Sequence, residues 1–431
     1  MKKEYKNVII GAGTTGLSAA FYMKDDYLLI ESEEKCGGAF TSIEKKGYFL
    51  DFGERFIRIE NSEKKNFDEI FGENFFSESK LRAQIHLKNK RFWHPFQYNL
   101  YGMEKKRLDF CINEAKKVCG KKAIPKNFQE WISLNFGRGI ASAFMIPYNR
   151  KIWCEDLSKM SYDWFYDNNV IPAGDISKIA EGASKSFDER GGSEFFQTRY
   201  YPKARGASAV PEFMEKKLKS PILYGSKVTG IDSERRIVFT QKGDSIGYRN
   251  LVSTIPLTEL VNMTMPLQGQ LEGWSKKLKH NSVLCIWVAV KREVSEKCHW
   301  VYFSEKKHEF ARLYFQHNFS SNVAPKGKSI IGAVFTYRRK NPQVSRLKEQ
   351  LVKKLIELNI LENEKDIDFI DYINIKYGFC TPLLETAELS KKIRDRLKER
   401  DIFSIGRYGE WKYSGLEHAI GDGKKIASQL I

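Results

Sequence analysis

Three glycines near the start of the sequence constrain the fold more strongly than any other feature. Gly11, Gly13 and Gly16 form the pattern G-x-G-x-x-G directly after the apolar run NVII and at the start of the segment TTGLSAAFYMK. The apolar run predicts a buried strand of a parallel sheet, and the segment after it predicts a helix. A second apolar run, YLLIE, follows at once. The sequence therefore predicts a compact βαβ unit whose first connection is a glycine turn.

The position of these glycines predicts a dinucleotide site. A glycine turn lets the backbone approach a pyrophosphate, the first helical turn around Thr15 supplies amide NH groups, and Gly16 lets helix and strand pack closely. Glu31 lies 20 residues after Gly11, where an acidic side chain accepts hydrogen bonds from ribose hydroxyls. A 2′-phosphate would be repelled there, which disfavours NADP. The pattern by itself does not separate NAD from FAD.

Length and composition predict several domains in a soluble protein. The chain has 431 residues, of which 42% are hydrophobic, and single cores stop growing at roughly 250 to 300 residues. We find no signal-peptide pattern and no apolar run of the roughly 18 residues that a membrane-spanning helix needs. The seven cysteines are odd in number and form no C-x-x-C pair. This favours a reducing cytoplasm over a disulfide framework, and it predicts no metal site.

The net charge of +18 is distributed along the whole chain. The lysines usually stand beside glutamates, as in KKIRDRLKER, which is typical of solvated helix faces. A nucleic-acid-binding protein would present a basic stripe interleaved with exposed aromatics, and the sequence has neither that stripe nor a recognised module. The charge therefore argues against a nucleic-acid partner and suits an anionic small substrate.

A second glycine motif and two later strand segments distinguish between the cofactors. Cys36, Gly37 and Gly38 stand in EKCGGAFTS, Val228 stands in a strand segment, and STIP occupies residues 253–256. In order and spacing these segments resemble the superfamily of FAD-dependent amine oxidases and protoporphyrinogen oxidases. The resemblance implies that the second glycine motif packs near the pyrophosphate and the flavin, and that the strand at Val228 holds the adenine. It therefore implies FAD as the cofactor.

The segment GRYGEWKY at residues 406–413 carries the most specific resemblance. It is similar to the GRFGxWxY segment of the UDP-galactopyranose mutases, a branch of the same superfamily. The resemblance implies that Arg407 and Tyr413 bind the diphosphate of a nucleotide sugar. It also implies that Gly406, Gly415 and Leu416 lie at the cofactor, the last two at the start of a helix beside the flavin.

Three upstream segments extend this resemblance. In WVYFSEKKHEFARLYF, Tyr302 and Arg312 match a tyrosine and arginine pair that clamps the same diphosphate. A forked guanidinium and a neutral hydroxyl donor suit phosphate oxygens. WHPFQYNLYG resembles a stretch that places Gln97 and Asn99 near the sugar nucleotide. FMIPYNRKIW, at residues 144–153, resembles a third stretch, whose aromatic residues at helical spacing are also typical of a core.

The resemblance runs from end to end and implies the architecture. We expect an α/β protein in which a discontinuous Rossmann-type FAD-binding domain (1–85, 200–270 and 396–431) is interleaved with two others. These are a mainly helical domain (100–199) and an antiparallel-sheet substrate domain (271–395 with 86–99). The runs VLCIWVAVK, HWVYFS, ARLYFQHNF and SIIGAVFTY predict the strands of that antiparallel sheet.

The function that the resemblance implies is that of a nucleotide-sugar pyranose/furanose mutase in polysaccharide or glycoconjugate synthesis. In such mutases the flavin is reduced, and its N5 attacks the anomeric carbon as the nucleotide diphosphate leaves, with no net electron transfer. The protein would supply binding, orientation and charge. Arg312 and Arg407 would hold the cleaved diphosphate.

Glu54 and Arg55 mark a departure from the family pattern. They stand in DFGERF, where the family has a glycine pair and a histidine beside flavin N5. Either these two side chains tune the flavin site, or they pair with each other or point away. We count both, with Arg312 and Arg407, as catalytic candidates.

Two further departures keep other functions open. Phe379 replaces a tyrosine of the family, and His94 stands where a tyrosine is common. Both changes indicate a different sugar or a different class of substrate. A second hypothesis is therefore an FAD-dependent oxidase or dehydrogenase of the amine oxidase or protoporphyrinogen oxidase type. A third is a flavin-binding protein without catalysis.

Overall fold

The computed structural model describes residues 4–121, 123–165, 174–192, 196–339 and 341–430. The strands are β1 (Glu4–Ile10), β2 (Tyr27–Ile30), β3 (Ser42–Lys45), β4 (Tyr48–Asp51), β5 (Phe76–Lys80), β6 (Ala83–Leu87), β7 (Lys90–Trp93), β8 (Thr198–Pro202), β9 (Ile222–Leu223), β10 (Val228–Asp232), β11 (Ile237–Thr240), β12 (Ser245–Ser253), β13 (Thr264–Met265), β14 (His280–Val290), β15 (Trp300–Phe303), β16 (Arg312–Phe315), β17 (Ser329–Tyr337), β18 (Ile367–Cys380) and β19 (Ile402–Ser404).

The α-helices fill the connections between these strands. They are α1 (Thr14–Met23), α2 (Asn61–Phe71), α3 (Lys105–Val118), α4 (Phe128–Ile140), α5 (Ile146–Trp153), α6 (Ile176–Ser184), α7 (Ala209–Glu215), α8 (Leu257–Met263), α9 (Gln268–Ser275), α10 (Val344–Glu357), α11 (Thr386–Lys398), α12 (Gly406–Gly409) and α13 (Leu416–Leu430). Within the described ranges, no helix is both long enough and apolar enough to cross a membrane.

The first sheet contains the glycine turn and has the order β13-β10-β11-β12-β1-β2-β9, with β19 also paired to β12. β1 runs parallel to both β12 and β2. Its apolar residues alternate between two cores, because Ile9 packs on the side of α1 and α13 whereas Val8 and Ile10 face the side of α8, α9 and α11. A strand covered on both faces reads as a continuous apolar run, which is why NVII was recognisable.

The second sheet has the order β18-β14-β17-β16-β15-β6-β7. Along its central strand β14, Leu284 and Ile286 pack against helix α10. Cys285 and Trp287 alternate with them and belong to the core on the opposite face, which also includes Tyr48 and Tyr314. The period-two alternation of a strand therefore separates the two cores.

A helical layer adjoins the second sheet. Helices α3 to α6 bury one aromatic core, which contains Phe96, Phe144 and Trp153, and Tyr302 and Tyr413 pack against it. The aromatic residues of FMIPYNRKIW are therefore core residues. Through this core the helical layer supports the residues that line the main cavity.

The predicted fold class is confirmed: the protein is α/β, with a Rossmann-type βαβ unit combined with a second sheet and a helical layer. The second sheet differs from the prediction in one pair, because β6 and β15 run parallel. Strand β18 was missed, since polar residues in DFIDYINIKYGFC interrupt its apolar pattern. The domain boundaries stay a prediction.

Candidate active site

A cavity of about 1030 Å³ is lined by elements of both sheets and by the start of α13. Ligand pockets commonly have volumes of roughly 300 to 1,000 Å³, so this cavity has room for a cofactor and a second ligand. The predicted residues on its wall are Gly11, Gly13, Thr15, Glu31, Gly37, Gly38, Glu54, Arg55, Val228, Tyr302, Arg312, Arg407, Tyr413, Gly415 and Leu416.

The glycine turn leaves space for a ligand at one position. A Cβ atom added to Gly13 would meet no protein atom within 4 Å, whereas one added to Gly16 would overlap the carbonyl oxygen of Gly11. Helix α1 begins at Thr14 without a side-chain hydrogen bond that caps it. Its first NH groups and positive helix end therefore meet open cavity at Gly13, as a pyrophosphate site requires.

Glu31 is buried beside this turn. Its Oε2 accepts a hydrogen bond from the Ala12 amide at 2.7 Å, and its Oε1 accepts one from the Glu33 amide at 3.0 Å. The Ser226 amide donates to the carbonyl oxygen of Glu31 at 2.8 Å, which brings the chain just before Val228 to the same wall. Contact of Glu31 with ribose and of Val228 with adenine stays a prediction.

The second glycine motif packs directly on the first. The Gly37 amide donates to the carbonyl oxygen of Ala12 at 2.9 Å. A Cβ on Gly38 would lie only 3.3 Å from the Cα of Gly13. The two motifs therefore form one continuous backbone surface on the cavity wall, and this surface fits a dinucleotide.

Arg312 lies on β16 and faces the cavity. It forms an ion pair with Glu54, and its Nη2 donates to the Tyr148 hydroxyl at 2.7 Å. Its guanidinium carbon lies 4.8 Å from the ring centre of Tyr302. Burial lowers the pKa of Arg312 to about 10, so the side chain remains charged at neutral pH. Pairing of Glu54 with Arg55, one of our alternatives, is wrong.

Arg407 is held by neutral groups. Its Nη1 donates to the Ser414 carbonyl at 3.0 Å and its Nη2 to the Gly378 carbonyl at 3.2 Å. The guanidinium lies 5.2 Å from the ring centre of Tyr413 and 5.4 Å from that of Phe379. No carboxylate of the described residues lies within ion-pair distance of Arg407, and its buried Nε has no hydrogen-bond partner there.

Three further arginines line the cavity, and one of them, Arg58, forms an ion pair with Glu60. Arg55 lies 5.6 Å from the ring centre of Phe40, and its buried Nε also has no partner among the described residues. Burial lowers the pKa of Arg55, and the positive charge of Arg407 adds to this effect. Arg199, on β8, donates to the Gln197 side chain at 2.6 Å. Burial lowers the pKa of Arg199 to about 10.

We call Arg55, Arg199, Arg312 and Arg407 the arginine cluster. Sequence reasoning missed Arg199, which stands in the strand segment TRYYP without any motif around it. In the part of the chain that the structure describes, Glu54 is the one carboxylate paired with a member of the cluster. The cluster therefore carries surplus positive charge, which suits an anion with more than one charge.

Several predicted site residues lie outside the cavity wall. Gln97 is buried in the helical layer, and the side-chain Nδ2 of Asn99 donates to the Pro95 carbonyl at 2.9 Å. The oxygen of the Asn99 side chain accepts from Arg190. Gly406 packs against Thr15, whose Oγ1 would lie 2.7 Å from a Cβ at that position. In this structure Gln97, Asn99 and Gly406 support the wall instead of forming it.

His94 is the other departure that lines the cavity. Burial lowers its pKa to about 4, so its imidazole is neutral at physiological pH. Its ring centre lies 5.6 Å from that of Tyr302. His94 therefore adds a neutral polar group next to the arginine cluster, not another charge.

Comparisons with known proteins agree with this arrangement. Residues 9–72 match the family model of the NAD(P)-binding Rossmann-like domain, and residues 160–361 match that of the flavin containing amine oxidoreductases. A crystal structure of reduced UDP-galactopyranose mutase superposes with a TM-score of 0.88 at 24% identity, covering 99% of this chain and 95% of that one. The chain has the fold of the flavin-dependent amine oxidoreductases. The predicted resemblance to this superfamily is confirmed, and the chain shares the fold of the mutase branch.

Two further relatives are named as oxidases. An Exiguobacterium sp. 255-15 protein assigned as a protoporphyrinogen oxidase has a TM-score of 0.75 at 14% identity, over 100% of this chain and 98% of that one. Coproporphyrinogen III oxidase of Bacillus subtilis (strain 168) is 22% identical over 255 residues, 52% of this chain. The match spans about half the length of that relative, at 53%. These likenesses support a flavin enzyme. The type of reaction has to be inferred from the residues of the site.

Proposed function

We propose that the protein is an FAD-dependent nucleotide-sugar pyranose/furanose mutase of the UDP-galactopyranose mutase type. One observation carries the proposal: the arginine cluster lines the same cavity as the glycine turn and the start of helix α1. A dinucleotide bound at the turn and an anionic substrate bound at the cluster would therefore share one space. The overall likeness to the mutase structure supports the same assignment.

The chain offers a complete set of groups for FAD. The pyrophosphate would lie at Gly13 and the start of α1, beside Gly37 and Gly38, while Glu31 would accept from ribose hydroxyls. The start of α13 would border the flavin. When bound in its reduced form, FAD supplies a nucleophile for the anomeric carbon of the sugar.

The arginine cluster would hold the diphosphate before and after its bond to the sugar breaks. No carboxylate of the described residues forms an ion pair with Arg407, so its charge is available to a phosphate. Arginine binds phosphate oxygens in a fork, and such charge-assisted bonds are roughly twice as strong as neutral ones. By retaining the diphosphate, the cluster would keep the leaving group ready to recombine.

Tyr302 and Tyr413 would add neutral donors to the same group. Burial raises the pKa of Tyr302 to about 12, so its hydroxyl stays protonated at neutral pH. A protonated hydroxyl donates a hydrogen bond without adding negative charge beside the substrate. This arrangement favours an anionic ligand over a cationic one.

The second candidate is a flavin-dependent oxidase or dehydrogenase, and the matched amine oxidoreductase model favours it. The arginine cluster restricts its substrate. An alkylammonium group would be repelled by surplus positive charge, so an amine is disfavoured, whereas a carboxylated substrate would be attracted. Glu54 is already paired with Arg312 and is not available to bind an ammonium group.

The deciding experiment uses FAD-loaded protein reduced with dithionite in the absence of air. UDP-galactopyranose and related nucleotide sugars are added, and products are separated by chromatography. We expect conversion only in the reduced state. The second candidate would replace the mutase assignment if the protein converts no nucleotide sugar and a carboxylated substrate reduces its oxidised flavin.

Arginine variants connect this activity to the cluster. Arg312→Lys and Arg407→Lys keep a positive charge but lose the fork, so we expect kcat/KM to fall by about 10- to 100-fold, which corresponds to one or two charge-assisted hydrogen bonds. FAD content should not change. Arg346→Lys is the matched control, because Arg346 pairs with Glu309 at the surface.

A further inference from the structure

Two histidines and a glutamate meet at a place that is separate from the main cavity. His86 lies on β6, and Glu305 and His308 lie in the segment between β15 and β16. Glu305 Oε2 is 3.9 Å from His86 Nδ1 and 3.9 Å from His308 Nε2. One ligand atom from each of the three residues lies within 4.8 Å of the others. We call these residues the histidine cluster.

Both imidazoles are buried, and three of their four ring nitrogens have no hydrogen-bond partner among the described residues. His86 is 4% exposed and His308 is 2% exposed. His86 Nδ1 and both ring nitrogens of His308 have no partner. Buried polar groups are nearly always satisfied, so the unsatisfied His86 Nδ1 and His308 Nε2, which both lie 3.9 Å from Glu305 Oε2, indicate a bound ion or water.

We propose that His86, Glu305 and His308 bind one divalent transition-metal ion, with Zn²⁺ the best-suited candidate. Zn²⁺ binds both imidazole nitrogens and carboxylate oxygens, whereas hard cations such as Mg²⁺ and Ca²⁺ prefer oxygen ligands. Donor atoms of a tetrahedral zinc site lie about 3.3 Å apart for bonds of about 2.0 to 2.1 Å. The separations here are 3.9 Å for two pairs and at most 4.8 Å for the third, so they need to close by roughly 0.6 to 1.5 Å. The Glu305 side chain is 22% exposed, which leaves a path for entry and a fourth position for water.

The segment that carries the cluster is already ordered around a lysine. Lys151 Nζ donates to the carbonyl oxygens of Glu305 at 2.7 Å, His308 at 2.8 Å and Phe303 at 3.0 Å. The Lys88 amide also donates to Glu305 Oε2, at 3.0 Å. These bonds fix the backbone and the carboxylate before any ion binds, so little has to be ordered on binding.

The basic neighbours also set a limit on affinity. Lys307 Nζ lies 3.7 Å from Glu305 Oε2 and competes with a cation for that oxygen. Lys151 keeps its charge close by, although carbonyl groups surround it. We therefore expect weaker binding than in a closed site with several carboxylates or thiolates, and tighter binding when Lys307 is replaced.

The consequence for the protein is structural. The segment that carries the cluster connects Tyr302, at the end of β15, with Arg312, at the start of β16. Because β6 pairs with β15, His86 stands in register with Phe303, next to Tyr302. A metal ion at the cluster would tie this connection to β6 and stabilise the wall that carries both residues. The inference does not depend on the proposed function.

The experiment measures Zn²⁺ binding to FAD-loaded, metal-free protein by calorimetry and by elemental analysis after dialysis. Co²⁺ serves as a spectroscopic probe, since nitrogen ligation gives it a visible ligand-field spectrum. We expect one equivalent per chain. His308→Gln and Glu305→Gln should each weaken binding by about 10- to 100-fold or more. Lys307→Gln should tighten it several-fold.

His317→Gln is the matched control, because His317 is a partly buried histidine outside the cluster whose Nδ1 lies 3.1 Å from the Ile330 carbonyl. It should bind Zn²⁺ like the wild type. The proposal is overturned if the wild-type protein binds neither Zn²⁺ nor Co²⁺. It is also overturned if Glu305→Gln, which keeps the acceptor for the Lys88 amide, binds both ions unchanged. A metal ion bound here would contradict the expectation, drawn from the cysteines alone, that the chain has no metal site.

Discussion

The ion pair between Glu54 and Arg312 makes a quantitative prediction about ligand binding. Glu54 neutralises one arginine of the cluster. A diphosphate that binds there must compete with this carboxylate and experiences its repulsion. Glu54→Gln removes the negative charge but keeps a polar side chain of the same size. We therefore expect the variant to bind UDP more tightly than the wild-type protein.

The size of the effect follows from the charges. Two unit charges about 6 Å apart interact by ~3 kcal/mol at an effective dielectric constant of about 20. The side chains of Arg312 and Glu54 are 15% and 20% exposed, so solvent screens part of this energy. If about half remains, the gain is ~1.4 kcal/mol, which is a tenfold lower Kd.

Isothermal titration of the FAD-loaded protein with UDP measures this difference. Glu309→Gln is the control, because it changes the net charge by the same amount but breaks a surface pair with Arg346. UDP binding to Glu54→Gln that is no tighter than binding to Glu309→Gln would refute the reasoning. Weaker binding would show that Glu54 itself contacts the ligand.

Three more predictions concern Gly13 and Arg199 on the cavity wall and the buried His299 outside it. Gly13→Ala should lower the affinity for FAD at least about tenfold, because the new methyl group extends into the cavity where FAD would bind. The free energy of unfolding should change by less than about 1 kcal/mol. Flavin fluorescence measures the affinity, and Gly269→Ala, which also adds a methyl group in open space, is the control. Arg199→Gln should raise the Kd for UDP about tenfold without loss of FAD, and an unchanged Kd in calorimetry would remove Arg199 from the site. His299→Gln concerns acid stability: burial lowers the pKa of His299 to about 4, so its contribution is present above its ordinary pKa of 6.5 and is lost as pH falls toward 4. Urea unfolding between pH 7 and 4 should show a flatter pH dependence in that variant.

The sequence predicted the parts of the fold that depend on local pattern. The glycine turn could be recognised because Gly11, Gly13 and Gly16 act within one βαβ unit. Arg312 and Arg407 were identified by the resemblance of the segments around them, and both line one cavity. Such features require only that a short segment keeps its own geometry.

The missed features depend on distant parts of the chain. Arg199 reaches the cavity from β8, which pairs only with β5 among the described strands. The Glu54 partner could not be chosen from sequence, since its neighbour Arg55 was an equally good candidate. His86 and His308 meet because β6 pairs in parallel with β15, which is the pair that the antiparallel prediction lacked. No spacing within a segment could have indicated these contacts.

The cost of assembling the arginine cluster provides a further test of what it binds. Burial lowers the pKa of Arg55, Arg199 and Arg312, which means that the fold holds these charges in a less favourable environment than water does. A dianionic ligand relieves this unfavourable energy, so it should stabilise the folded state by more than general salt does. At a concentration of 100 times its Kd, a ligand that binds only the folded state adds about 2.7 kcal/mol. We expect UDP to raise the unfolding temperature of the FAD-loaded protein, and uridine, which lacks the diphosphate, to leave it unchanged. Equal stabilisation by uridine, or stabilisation by a diamine instead, would mean that the cluster is not an anion site and that the mutase proposal lacks its main support.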